Sequence, residues 1–458
     1  MLTVGEIVNA TGGVLTVGDP AQCVTDISVD SRSGLDQDGL FVALVGEKTD
    51  GHRYIAGAKE AGAVAVLYSK DMEPNCDLAW IKVEDTVKAL QAIGSYCRDR
   101  VQVPVAAITG SVGKTTTREM VALALSAKYR TFKTKKNFNS QLGVPITVSQ
   151  IAPEDEAAVL ELGMSEIGEM ERIAAVARPD LTIFTNIGVT HIENLGSREN
   201  ILKEKFELAK AMKLGSPLIL NGDNDMLCKI DASCGYRVIF YGLGEHCHVR
   251  GTDLHMDGAM SVFTADCHGQ KLEVRLQMAG EHMVMNALAA LATAYELGVD
   301  LTDAAKALET YGGFAGRQMI ETIGGVTLID DYYNASPDSM RAALGVLNSM
   351  NCDGKRIALL ADMKELGADE IRFHCEMGQE TVKQHVDLLI TVGELAAHIA
   401  ERAKALSEYI EVHTCKTNAE AFAVLKKQIA AGDVLLLKGS NSMKLGEIRD
   451  AWANLVQE

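Results

Sequence analysis

The sequence has no excess of basic residues, no closely spaced cysteine pair and no long apolar run. Lysine and arginine number 44 against 62 aspartates and glutamates, a net charge of −18. A surface of that sign repels phosphate backbones and anionic lipid, so no nucleic acid and no membrane is expected as a partner. A small phosphorylated ligand stays open, because a local nest of backbone N–H groups can hold phosphate inside an acidic protein. The ten cysteines stand singly, without a CxxC pair. Cys228 and Cys234 are the closest two, and Cys247 lies between His246 and His248. No second ligand pair stands at finger spacing, so reduced thiols are expected rather than a zinc module. No apolar run reaches about 18 residues, and the opening MLTVGEIVNATGG lacks a basic stretch followed by an apolar one. A soluble, cytoplasmic chain is the expectation. Gly/Pro-rich linkers, low-complexity tracts and repeats are absent too.

What is present is 458 residues, 47% hydrophobic and 23% charged, the balance of a folded protein of two or three domains. To about residue 100, short apolar runs (39–45, 63–68) flank a helical pattern at 54–61, and a helix-like stretch at 87–100 ends before Pro104. Proline breaks a helix, so a new unit starts there. From 105, the apolar runs 105–109, 157–162, 181–186 and 217–221 alternate with helical patterns at 115–125, 168–177 and 198–214. Such alternation predicts a parallel sheet covered on both faces. Residues 238–278 read as an antiparallel insertion with turns at 255–258 and 267–270, followed by helices at 282–297 and 302–311. Past Gly316, runs at 326–330, 357–360, 388–392 and 434–437 alternate with helices that include 337–350, 370–384 and 444–455, a second doubly wound unit. The fold class is therefore α/β in three domains, 1–100, 101–314 and 315–458. The middle one is a parallel-sheet phosphate-loop domain and the last is Rossmann-like.

The stretch Val105-Ala106-Ala107-Ile108-Thr109-Gly110-Ser111-Val112-Gly113-Lys114-Thr115-Thr116 carries the most information. A buried strand runs into glycines, then Lys-Thr, then a helix. Glycines let successive N–H groups turn into one cavity, and the helix start adds its dipole. Gly110, Ser111, Val112, Gly113 and Thr116 would cradle a nucleoside triphosphate, Lys114 would reach its β/γ-phosphates, and the Thr115 hydroxyl would hold Mg²⁺. Ile108 rather than glycine stands five before Gly113, so the loop is a shortened form. A phosphate loop alone does not name a reaction. Glu161 ends a buried run, where ligands approach such sheets, and His191 follows another strand. Lys205, among Lys203, Glu204 and Glu207, reads from spacing alone as a solvated helix face.

TGSVGKTTTREM, NFNSQLGVPIT and LELGMSEIGEMERIAAVARPDLTIFTNIGVTHIENLGSRENILKEKFEL, followed by IDDYYNASPDSM, LLADMKELG…IRFH and LLLKGSNSMKLGEI, resemble the Mur ligase family of peptidoglycan-precursor enzymes in order along the chain. The resemblance implies an ATP- and Mg²⁺-dependent amide ligase of cell-wall synthesis, with UDP-N-acetylmuramoyl-tripeptide and D-alanyl-D-alanine as partners and a monomer as the working form. It also implies roles. Lys114 and Thr115 serve phosphates and the first Mg²⁺, and Glu161 and His191 the second. Lys205 matches a lysine carbamylated in several members, which would turn a cation into the oxygen ligand Mg²⁺ prefers. Asn286 matches an adenine contact, and Arg317 an arginine brought to the γ-phosphate from the third domain. Asp331, Tyr333 and Asn334 would close the nucleotide site. Ser31, Arg32 and Gly46 would contact the UDP end, and Asn137, Asn139 and Gln141 the substrate side. Sister ligases, such as an earlier Mur ligase or a folylpolyglutamate synthase, and a non-ligating phosphate-loop switch stay open as alternatives.

Overall fold

In the computed structural model, residues 1–32, 38–46, 49–257, 260–314 and 316–457 are described. Among them the strands form three large sheets. The first runs, edge to edge, Val14–Val17, Ala79–Lys82, Ala63–Tyr68, Gly39–Val42 and Asp26–Ser28, parallel throughout except for its first pair. The helical pattern at 54–61 is a 3₁₀ turn, Gly51–Tyr54, running into the helix Ile55–Glu60. The helix Thr86–Asp99 is capped by Asp85, whose carboxylate accepts the N–H groups of Val87 and Lys88.

That helix does not stay with the first sheet alone. It packs on the helices Gly143–Ser149 and Glu169–Ala177, and one continuous apolar core runs from Leu2 and Ile93 to Leu160 and Phe184. Arg98 pins the junction, donating to the carbonyls of Ala177 (2.8 Å), Arg178 (2.8 Å) and Val101 (3.0 Å). The helix Gly143–Ser149 has no counterpart in the sequence pattern, because its β-branched, Pro-containing run reads as a strand.

The central sheet orders its strands Thr131–Lys133, Ala157–Glu161, Val105–Thr109, Leu181–Phe184, Pro217–Asn221, Arg237–Gly242, Val249–Asp257, Met260–Cys267 and Gln270–Leu276. All pairs are parallel up to Val249–Asp257, and the last two are antiparallel. The expected antiparallel insertion is thus corrected. Arg237–Gly242 continues the parallel sheet, and only the following hairpins turn back. Their apolar face is covered by the helix Glu281–Glu296, so they prolong one core rather than adding a separate unit. The turn after Cys267 uses His268 and Gly269, both at positive φ, as a two-residue hairpin loop requires; the expected turn at 255–258 is strand to Asp257, and its end lies outside the described residues.

The third sheet runs Met319–Ile323, Val326–Asp330, Val434–Lys438, Arg356–Ala361, Leu388–Val392 and Glu411–Cys415, with its first pair antiparallel and the rest parallel. Helices cover both faces, each over its own apolar layer. Among the described residues no helix is long and apolar enough to cross a membrane. A tight seam between helices is at Gly94, where a Cβ would stand 2.7 Å from Pro145 Cα and 2.9 Å from Val176 Cγ1. Gly94→Ala is expected to lower the thermal unfolding midpoint. Overpacking of about 1–3 kcal/mol or more outweighs the ~1 kcal/mol that alanine gains in a helix. A midpoint at or above that of the parent would show that this seam yields.

Candidate active site

The site is built on the turn after the central strand Val105–Thr109, all of whose residues are buried. Gly110 stands at φ 150°, and a Cβ there would lie 1.9 Å from Thr185 Oγ1. Gly113, at φ 84°, caps the helix Lys114–Leu125, which has no side-chain cap. Its first N–H groups therefore lack intrahelical partners and face outward with the positive end of the dipole. The expected cradle is narrower than its sequence suggests. Ser111 N–H already donates to the Asn186 carbonyl (3.0 Å) and to its Oδ1 (3.1 Å), and Val112 N–H donates to the same Oδ1 (2.8 Å). The donors left for an anion are those at the helix start. Ser111, Val112, Gly113, Lys114, Thr115 and Thr116 line a cavity of about 250 Å³ together with Asn286, whose Oδ1 accepts from Thr117 Oγ1 (2.9 Å).

Two lysines converge on one carbonyl. Lys114 Nζ donates to Gly110 O at 2.8 Å, and Lys205 Nζ donates to it at 3.1 Å. Lys205 is 2% exposed, which overturns the solvated-face reading. The helix Arg198–Lys210 turns Ile201, Lys205 and Leu208 inward together. Burial, and then the neighbouring Lys114, hold the Lys205 amine well below its ordinary pKa. Lys114 is lowered to about 8, chiefly by desolvation and also by Arg317, with Glu161 opposing. Lys205 does not line the cavity that contains Glu161 and His191.

Glu161, 2% exposed at the end of its strand, collects four contacts. Its Oε1 accepts from Thr115 Oγ1 (3.2 Å) and Asn139 Nδ2 (2.7 Å), its Oε2 from Arg118 Nη1 (3.0 Å), and its own N–H donates to Thr134 Oγ1 (3.0 Å). It lines a second cavity, of about 580 Å³, with Asn137, Asn139 and His191. His191 stands at φ 62°, and its Nδ1 lies against the Glu365 carboxylate of the C-terminal unit. That contact draws Glu365 below the usual carboxylate range. Close by, a Cβ on Gly367 would lie 3.3 Å from Glu193 Cα.

The C-terminal unit completes both cavities. Arg317, Tyr333 and Asn334 line each of them, as do Lys114 and Thr115, so the two spaces share one wall. The Arg317 guanidinium lies 4.3 Å over the Tyr333 ring, and its buried Nε has no hydrogen-bond partner among the described residues. Asp331 lines the first cavity and accepts from Lys438 Nζ at 2.6 Å; the same ammonium donates to the carbonyls of Asp331 and Asn334. Six of the named residues line neither cavity: Gly110 and Lys205, which meet at the Gly110 carbonyl, and four that lie further apart. Gln141 lines neither cavity. In the first sheet's unit, Arg32 pairs with Asp30 (2.9 Å), Gly46 N–H donates to Thr49 O (2.9 Å), and neither these two nor Ser31 reaches either cavity.

Residues 108–294 match the Mur ligase middle domain, 317–441 the Mur ligase glutamate ligase domain and 24–97 the Mur ligase family catalytic domain. Among relatives, the UDP-N-acetylmuramoyl-tripeptide–D-alanyl-D-alanine ligase of Bacillus subtilis is 37% identical, over 97% of each chain. That of Escherichia coli is 31% identical, over 98% of this chain and 97% of the relative. The chain belongs to the Mur ligase family. It is accordingly an ATP-dependent ligase. Among solved structures, a MurF from Acinetobacter baumannii superposes with a TM-score of 0.89 at 30% identity, covering 99% of each chain. A Mycobacterium tuberculosis folylpolyglutamate synthase, at TM-score 0.62 and 15% identity, shares the fold alone.

Beside the residues that family motifs single out, the site uses Arg118, Thr185, Asn186, Glu365 and Lys438. Arg118 carries a legible signal. It sits one turn past Lys114 and just before the apolar run 120–125, where a charge needs a buried partner. Asn186 and Glu365 carry none, since each acts on a residue far away in the chain.

The pH response of this Mur ligase follows from Lys114. A bound polyanion raises the ammonium's pKa, so above about 8 binding must take up a proton that the free protein lacks. ADP affinity is expected to be flat below pH 8 and to fall toward tenfold per unit above it. Calorimetric titration from pH 6.5 to 9.5 reads this, and Lys114→Arg, whose charge does not titrate, should lose the slope. A flat profile in the parent would overturn it.

Proposed function

We propose that this chain joins D-alanyl-D-alanine to UDP-N-acetylmuramoyl-tripeptide, with cleavage of ATP to ADP and phosphate, as a cytoplasmic monomer. The observation that carries the reading is the shared wall. Lys114, Thr115 and Arg317 face a nucleotide-sized cavity on one side and the Glu161–His191 cavity on the other. A triphosphate lying in the first cavity would present its terminal phosphate where an acid in the second could reach it.

A carboxylate is a poor acyl donor, because an amine would have to expel oxide. In the proposed sequence, a carboxylate oxygen of the tripeptide attacks the γ-phosphorus and ADP leaves, giving an acyl phosphate. The dipeptide's amine nitrogen then attacks the carbonyl carbon, phosphate departs and the nitrogen loses a proton. Two anions meet in the first step. The Lys114 ammonium holds the β/γ-phosphates, and the Arg317 guanidinium, fixed in plane by Tyr333, faces the charge that develops on the transferred group. Asn286 and the Asp331–Lys438 pair wall the nucleotide side, and Asn137 and Asn139 offer amides on the substrate side. Residues 1–100, with Ser31, Arg32 and Gly46, are assigned the UDP end, residues 101–314 the nucleotide, and residues 315–458 the incoming dipeptide.

The donor set fits Mg²⁺. Thr115 Oγ1 and the Glu161 carboxylate supply hard oxygens 3.2 Å apart, and His191 supplies an imidazole on the same cavity. Bound there, Mg²⁺ would offset phosphate charge. Lys205 as a free amine is no ligand, but a depressed, desolvated amine is the form that adds CO₂, losing a proton to become an oxygen-bearing carbamate.

ADP release with UDP-tripeptide, with and without D-alanyl-D-alanine and with D-alanine as control, tests the reading. Turnover should require the dipeptide and yield a lengthened UDP-peptide. Turnover indifferent to the dipeptide, or preferring another acceptor, refutes it in favour of a switch or a sister ligase. Arg317→Ala is expected to cut kcat by about 10²–10³ with ADP affinity little changed, the scale of losing one preorganised transition-state donor. Equal kcat would remove Arg317 from the chemistry. For Lys205, activity assayed after exhaustive CO₂ removal should drop and recover with bicarbonate, and Lys205→Ala should show neither change.

A further inference from the structure

His246 and Cys247 acquire a third neighbour through the fold. The turn after Pro217–Asn221 and the turn after Arg237–Gly242 leave adjacent parallel strands side by side, and this sets Asp223 against them. One ligand atom each from Asp223, His246 and Cys247 lies within 4.8 Å of the others, the only such group of three or more among the described residues. His246 Nε2 stands 2.9 Å from the Gly222 carbonyl oxygen, which can only accept. That bond places the ring proton on Nε2 and leaves the Nδ1 lone pair free, the way a metal-binding imidazole is oriented by an outer partner. Asp223 is aimed in the same fashion, by N–H groups of Leu243 on Oδ2 (2.6 Å) and Gly244 on Oδ1 (3.0 Å), with lone pairs to spare.

The surroundings keep the space between these donors clear. A Cβ on Gly222 would lie 2.6 Å from Cys247 Sγ and 3.0 Å from His246 Nε2. One on Gly242 would lie 2.5 Å from Asp223 Oδ2 and 3.0 Å from Cys247 Sγ, and one on Gly244 2.8 Å from Asp223 Oδ1 and 2.9 Å from His246 Nδ1. Each glycine thus abuts a different pair of the three residues, and any side chain there would crowd them.

We propose that Asp223, His246 and Cys247 form a binding site for a thiophilic divalent cation, with Zn²⁺ the ion their sulfur, nitrogen and oxygen donors suit best. Three protein ligands leave the fourth tetrahedral position to solvent. Mg²⁺, which takes oxygen ligands, is the wrong ion, so this site is chemically separate from Thr115 and Glu161. It also lies outside the nucleotide cavity, which none of its three residues lines. Asp223 N–H donates to Asn221 Oδ1 (2.9 Å), and Asn221 and Tyr241 line that cavity. A cation would tie together the two turns that carry this part of the wall. A thiol ligates as its thiolate, so binding at neutral pH must release the Cys247 proton.

The test is titration of the reduced full-length protein with Co²⁺ and, by equilibrium dialysis, with Zn²⁺. One equivalent is expected to bind, with a near-ultraviolet sulfur-to-cobalt charge-transfer band and release of one proton. Cys247→Ser should abolish the band. Asp223→Asn should weaken Zn²⁺ binding by at least the roughly 10–100-fold that changes outside the ligand set cost. Cys23→Ser/Cys228→Ser, which removes the two exposed thiols, should bind as the parent does. Circular dichroism and ADP affinity establish that each variant is folded. No binding at micromolar Zn²⁺, a band that survives in Cys247→Ser, or loss of the equivalent in the exposed-thiol variant would each overturn the site. None of these outcomes depends on ligase turnover.

Discussion

Buried basic groups without an answering carboxylate govern the centre of this molecule. Lys114 and Lys205 both point at the Gly110 carbonyl, and Arg317 faces the same space with an unpartnered Nε. Among the described residues, none of the three has a carboxylate at ion-pair distance. Glu161, the carboxylate at hand, is already engaged by Arg118, Thr115 and Asn139. Burial lowers the pKa of both lysines, and a neighbouring cation, Lys114 for Lys205 and Arg317 for Lys114, lowers it further. The arrangement is unfavourable in isolation and favourable once a polyanion enters. Electrostatic deficit of this kind is preorganisation. The cost of gathering the charges is met in folding, so none of it is left for the moment of reaction.

The deficit is divided between two sheets. Lys114 and Thr115 belong to the central one, while Arg317, Tyr333 and Asn334 come from the unit that follows, and neither group encloses a cavity by itself. What holds the halves in register is polar and local. The His191–Glu365 pair joins two residues that both stand in the left-handed region, φ 62° and 64°. Such positions cost of order 1–3 kcal/mol each and persist where surrounding contacts over-determine them. A Cβ on Gly188 would come within 2.4 Å of Asp338, which shows how close the central loop lies to the first turn of the helix Pro337–Ser349. A seam of this type exposes little apolar surface on opening, since apart from Ala279 and Val189 of the central unit, which pack into the third unit's layer, each side keeps its own core. It therefore suits a site that must admit three substrates and then exclude water.

How much of this was legible depended on the distance over which each feature is determined. The strand–glycine–lysine–helix run was readable because backbone geometry there is set within a dozen residues, and the parallel sheets were readable from fully apolar strands such as Val105–Thr109 and Val434–Lys438. Lys205 misled because its neighbours Lys203, Glu204 and Glu207 look solvated. Yet Ile201, Lys205 and Leu208 share one face, and that spacing was available to be noticed. The helix Gly143–Ser149 escaped because a buried helix of β-branched residues has no polar face to reveal its period. The places of Glu365 and Lys438 at the site are tertiary facts with no local trace. So is the position of Asp223, which stands more than twenty residues from Cys247.

The shortened phosphate loop shows how local and distant determinants combine. A loop with fewer residues before Gly113 has fewer N–H groups to wrap a phosphate, and two of those it keeps are taken by Asn186. This is a fastening rather than a loss. Thr185 Oγ1–H donates to Val112 O at 2.5 Å, and Gly110 packs so closely on Thr185 that only glycine fits. The loop is thereby welded to the end of the neighbouring strand Leu181–Phe184, the same strand end that leads to Gly188 and His191. The groups left to face an anion are the rigid helix start and Lys114, and the weld carries their position across to the residues that meet the third sheet. A loop that cradled phosphate entirely with its own backbone would be more self-sufficient. It would also be less firmly tied to the residues that meet the third sheet.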